Sequence, residues 1–240
     1  MAYIASNKDQ NWLLPLSIRD MIPKDHICFL VEDFADSLDY SSFDMIYDGA
    51  GHPAYHPKII MKILIQGMLC RVRSSRKIAG ACRENFVFMY LAEKSQPDFR
   101  TISRFRKDNA EFVKEAFKKT VDLANKNKLI DLRFISIDGS MLKANASKKK
   151  YFDKKNLDKL DKAIDKMVEE DIALDELEEQ IFGDREEGLT GIDERDLRRI
   201  VRDYRKSEDK KKIKKKIKKV KGELEKYFLK KASISDPESR

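Results

Sequence analysis

Apolar positions recur along this chain in three different patterns, and the changes between them divide it. Over 26–38, Ile27, Leu30, Val31 and Phe34 share one helical face, with Asp25 placed to cap the start. From Pro57, a favourable first helical residue, the run to Arg71 is apolar nearly all round, with Lys58, Lys62 and Gln66 in a stripe at a spacing of four. That pattern predicts the central helix of a small bundle. Ser74 and Ser75 cap a helix over 76–84 that turns Ile78, Ala81 and Cys82 inward and Arg76, Lys77 and Arg83 outward. Residues 86–91 add core, and Pro97 with Asp98 makes a turn. In the next helix, Ile102 and Phe105 face in while Arg100, Arg104 and Lys107 face out. The helical period continues through Phe112, Val113, Ala116, Phe117, Val121 and Ala124.

At 134 the pattern shortens. Phe134, Ile135 and Ile137 form a β-branched-rich run that ends at Asp138, with Gly139 as breaker and 140–146 as a return strand. After Ser147 the period becomes seven: Leu160, Met167, Leu174 and Ile181 make one seam, and Leu157 with Ile164 a second. Gly183, Gly188 and Gly191 interrupt it, and Ile213, Ile217, Val220, Leu224 and Tyr227 step by four and three in a second arm. The expected class is mainly α: a helix-turn-helix-like N-terminal bundle, a short β-hairpin, then a long antiparallel helical hairpin of coiled-coil type.

Charge changes this picture. Charged residues make up 38% of the 240, and the net charge of +8 favours a polyanionic partner. The distribution is uneven: −6 over 1–50, +9 over 51–107, +4 over 108–150, −8 over 151–200 and +9 over 201–240. Two basic blocks among acidic ones suit a nucleic-acid binder with defined faces, and a first acidic arm would attract a basic second one. The lysine run 210–221 reads as a solvated face of that second arm.

Other chemistry is sparse. Cys28, Cys70 and Cys82 have no CxxC spacing and read as free thiols in a reducing cytoplasm. His52 and His56 are four apart, but Pro53 and Pro57 make the segment a turn and no third ligand stands nearby, so zinc is not expected. The most apolar run, 59–69, is short and carries Lys62 and Gln66, so neither secretion nor membrane insertion is expected.

Three segments then carry a family resemblance: SSRKI at 74–78, PDFRTISRFR at 97–106 and IDGSMLKANAS at 137–147, in one order and spacing. With the surrounding 55–109, they resemble the InsH-like N-terminal domain of bacterial DDE insertion-sequence transposases, and the likeness spans about residues 10–150. It implies a helical DNA-binding domain over 1–128 and the first strands of an incomplete ribonuclease-H-like domain over 129–150. A charged helical insertion over 151–232 and a return toward the sheet at 233–240 complete the expected organisation. Asp138 matches the first acid of the Mg²⁺-binding catalytic triad. The second Asp and the Glu of that pattern are expected beyond residue 240, and Asp131, Asp153 and Asp236 have no evident reason to replace them. One expected function is therefore the N-terminal portion of a transposase, binding double-stranded DNA at element ends through Arg76, Lys77, Arg83, Arg100, Arg104 and Lys107. The alternative is a non-catalytic remnant that regulates intact transposase, pairing with it or with itself through 151–232. Either would act in the bacterial cytoplasm at the nucleoid, and stable Mg²⁺ binding by Asp138 alone is not expected.

Overall fold

Helix α2 (Pro57–Leu69) is the element around which the N-terminal helices pack. The computed structural model describes residues 17–43, 54–126, 134–137, 140–143, 154–185 and 201. Pro57 opens α2, and the His56 ring accepts the next free amide, that of Lys58, at 3.1 Å. Ile60, Met61, Ile63, Leu64 and Ile65 are all buried, so this helix has no solvent face to spare. Its stripe is inside too: Lys62 and Gln66 are each 2% exposed. Lys62 can be there because its ammonium meets Asp36 at 3.1 Å, Glu93 at 3.3 Å and Glu32 at 3.7 Å.

A 3-10 turn (Ile18–Met21) precedes α1 (Cys28–Asp36), which packs on α2. Asp25 is not the cap of α1. Residues 23–26 form a turn, closed by the His26 amide on the Pro23 carbonyl at 3.0 Å, and His26 accepts from the Cys28 amide at 3.1 Å. The helix therefore starts later than the apolar period suggests.

Beyond α2 the chain turns on a left-handed residue, Arg71 (φ 59°), while the Val72 amide reaches back to the Gly67 carbonyl at 2.7 Å. Helices α3 (Ser75–Glu84), α4 (Phe86–Leu91), α5 (Phe99–Asp108) and α6 (Ala110–Lys126) follow. Ile78, Cys82, Leu91, Ile102, Phe105, Val113 and Phe117 close the same core as α2. An aromatic group of Tyr40, Phe43, Phe105 and Phe112 seals one end, with Phe43 and Phe112 edge to face at 5.0 Å.

Two short strands come next, β1 (Phe134–Ile137) and β2 (Ser140–Lys143), paired antiparallel with Phe134 opposite Lys143 and Ile137 opposite Ser140. The chain is mainly helical. Helix α7 (Lys154–Phe182) is 29 residues long and packs against α5 and α6. Ile164 and Val168 are buried in the bundle core, with Leu160, Met167 and Ile172 packed against it. Farther along, Ala173, Leu174 and Leu177 gather with Val201, Ile181 and Phe182 in a second cluster. The expected second arm beyond Val201, and the return segment 233–240, lie outside the described residues.

Candidate nucleic-acid interface

The basic helices are built as their sequences dictate. Ser74 caps α3 by accepting from the Lys77 amide, and Asp98 caps α5 by accepting from the Thr101 amide at 2.8 Å. Ile78 and Ile102, both fully buried, fix which faces turn inward. The opposite faces should then present the cations to solvent, but an acidic helix lies over part of them.

Along one side of α7, Asp171, Asp175, Glu178 and Glu179 follow at spacings of four, three and one, so they stand on neighbouring turns of one face. Asp171 accepts from the Arg73 guanidinium, which also donates to the Met167 carbonyl at 3.0 Å and lies 3.5 Å from Glu170. Asp175 accepts from the Ser75 amide at 2.8 Å, the Ser75 hydroxyl at 2.7 Å and Arg106 at 2.8 Å. The Ser74 hydroxyl donates to Glu178 at 2.5 Å. Toward the bundle's other end, Lys114 is 3.7 Å from Glu169 and Lys118 is 2.7 Å from Asp165.

Each expected DNA contact has a definite place in this arrangement. Arg76, read as solvent-facing, is 4% exposed. Its guanidinium lies 3.7 Å from the centroid of the Phe99 ring, pairs with Glu179 at 2.8 Å and donates to the carbonyls of Gly183 and Arg185. The cause is α7, which covers a surface that the period of α3 alone marks as outer. Arg100 is exposed but paired with Glu179 at 3.4 Å and with Asp184. Lys107 is exposed and paired with Glu176 at 2.8 Å. Lys77 and Arg83 are half-buried, and Arg104 is exposed with no ion-pair partner among the described residues. Two cations absent from the sequence reading, Arg73 and Arg106, are also engaged by buried acids of α7, Asp171 and Asp175. The signal available for them was the stretch 167–184, which holds eight acids and neither Lys nor Arg.

Burial sets the ionisation here. The Asp171 carboxyl is pushed up to about 6 by desolvation, against the pull of the Arg106 and Arg73 charges. Desolvation raises Asp175 as well, opposed by Arg106 and by the Ser75 hydrogen bonds. It also lowers Arg76, which Glu178 and Glu179 partly restore.

Residue 138, the expected metal ligand, lies outside the described residues. So does His52, while His56 serves as the cap of α2. Among the described residues no three His, Cys, Asp or Glu side chains stand together where they could hold a metal ion, and no helix is long and apolar enough to cross a membrane.

Residues 16–108 match a protein family described as Transposase domain (DUF772). The matched stretch runs from the 3-10 turn to the last residue of α5, so it contains α3 and α5 but not α7. It supports a relation to transposases. No curated protein and no solved structure matches the chain.

Proposed function

We propose that this chain is the DNA-binding portion of a DDE transposase and engages the double-stranded ends of an insertion sequence through α3 and α5. The observation that carries this reading is the overlap of three features over residues 51–108. These are the transposase-domain match, the +9 charge of 51–107 and two capped helices whose apolar faces are buried and whose other faces carry the cations. Helix, turn and basic helix is a form suited to placing one helix in a major groove while neighbouring cations hold phosphates. Arg104, exposed on α5, and Lys107, whose partner is the half-exposed Glu176, are the cations best placed for first contact.

In this reading Asp138 is the first acid of the catalytic triad and Mg²⁺ its ion. Two-metal strand chemistry needs further carboxylates converging on the same site, and the experiment below addresses binding. The test is duplex-DNA affinity of the whole chain as a function of salt, compared with Arg104→Ala/Lys107→Ala. Each lost phosphate contact should lower the log-log salt slope by about one, so the double variant should bind more weakly with a slope shallower by about two. Unchanged affinity and slope would remove both residues from the interface, and absence of any salt-sensitive binding by the wild type would overturn the function.

A further inference from the structure

The two halves of α7 meet the rest of the protein through different chemistry. Ile164 and Val168 in the first half sit in the bundle core, where only an apolar partner fits. In the second half the apolar side chains Leu174 and Leu177 turn instead to Val201, and the face toward α3 and α5 is carboxylate. The groups those carboxylates occupy are Arg and Lys side chains, Ser hydroxyls and a backbone amide, the donor types that hold DNA phosphates. The apolar half is therefore an anchor, and the charged half is exchangeable for another polyanion.

We propose that the part of α7 from Asp171 onward, with Asp184 just past its end, is an internal competitor for DNA. It occupies the surface made by Arg73, Ser75, Arg76, Arg100, Arg106 and Lys107, and leaves that surface when the same groups engage a phosphodiester backbone. This inference rests on the DNA-binding reading above and adds its regulation. First contact falls to Arg104 and to the rim pairs Arg100–Asp184 and Lys107–Glu176, where solvent and salt already weaken the internal hold. Release of the distal half then offers the covered cations, while Ile164 and Val168 keep the helix tethered and able to return. Duplex binding by the intact chain is thus weaker than its +9 block implies, and it exposes the backbone of the distal helix.

The test uses the whole chain and a short mixed-sequence duplex. Glu176→Gln/Glu179→Gln/Asp184→Asn weakens the latch at three acids that are exposed or half-exposed, removing the charge that Glu179 sets against buried Arg76 while leaving the buried Asp171, Asp175 and Glu178 in place. A control, Asp25→Asn/Asp33→Asn/Asp122→Asn, removes the same charge from exposed positions that make no ion pair with the basic face. The latch variant should bind roughly tenfold more tightly than the control, the sum expected from a few exposed ion pairs. Independently, adding duplex to the wild type should speed amide hydrogen exchange across 171–182 while leaving 160–168 protected. Equal affinities of the two triple variants, with exchange over 171–182 unchanged by bound DNA, would overturn the latch and leave the DNA-binding function standing. No binding by the wild type or by either variant at low salt would instead overturn the function itself.

Discussion

Asp175 and Ser75 are joined twice across 100 residues of sequence: the carboxylate accepts from both the amide, at 2.8 Å, and the hydroxyl, at 2.7 Å, of the serine that opens α3. Arg106 of α5 completes the group, donating to the same oxygen as the Ser75 hydroxyl. Three donors on one carboxylate make its burial tolerable, because each replaces a water that the charge would otherwise keep. They also fix the register of α7 on the bundle, since a shift of one residue would leave a buried acid facing no donor.

Removing that carboxylate should therefore cost more than its own hydrogen bonds. Asp175→Ala strands the Arg106 guanidinium, which is 3% exposed, and should destabilise the fold by about 3–5 kcal/mol. Asp175→Asn keeps an oxygen for the Ser75 amide and should cost distinctly less. Urea denaturation of both variants checks this ordering. A loss under about 1 kcal/mol for the alanine variant would show that solvent reaches Arg106 once the acid is gone.

Much of the bundle was legible because its signals are local. Pro57 and Ser74 mark helix starts by what their own ring or side chain does to the next turn, and both stand where expected, while Asp98, read only as part of a turn, caps α5 as well. Ile78 and Ile102 likewise follow from period alone. Arg76 shows where this stops. Period identifies the face of α3 that does not join the first core, but it is silent on whether a helix 100 residues later lies over that face. Lys62 illustrates the same limit, since a polar stripe reads as outward until Asp36 and Glu93 are placed around it. The heptads of α7 were visible too, yet they divide between two partners, the bundle at Ile164 and Val168 and the cluster with Val201 at Leu174 and Leu177.

The turn between α2 and α3 offers two substitutions of opposite sign. A Cβ on Gly67 would lie 2.7 Å from the Val72 carbonyl oxygen and 3.0 Å from Ile78 Cδ1. The backbone oxygen cannot swing aside like a side chain, because the Val72 amide is itself tied to Gly67. Gly67→Ala should thus cost about 1–3 kcal/mol through overpacking. Arg71, by contrast, holds a left-handed conformation that glycine adopts without strain, so Arg71→Gly should stabilise by about 1 kcal/mol. Thermal unfolding of the two single variants would settle both signs, and a stabilised Gly67→Ala would contradict the close approach.

At Asp171 burial and charge act in opposite directions. Desolvation raises its carboxyl from the usual 3.8 to about 6, and the nearby guanidinium groups of Arg106 and Arg73 oppose that rise without cancelling it. A carboxyl whose pKa is higher in the folded state than in the unfolded chain holds its proton longer when folded. Its stabilising contribution is fully present below about pH 3.8 and is lost as pH rises through about 6. A shift of this size is worth up to about 3 kcal/mol. Many other acids titrate in the same range, so the quantity to measure is the stability of the wild type minus that of Asp171→Asn, by urea denaturation from pH 4 to pH 7. That difference should fall steadily over the interval, since the asparagine cannot ionise. Neutralising Asp171 also relieves Asp175, whose carboxyl is likewise raised by burial, and this secondary effect has the same sign. A difference that instead rises with pH would mean that the Arg73 and Arg106 charges outweigh desolvation, making Asp171 an acid whose ionisation holds α7 in place.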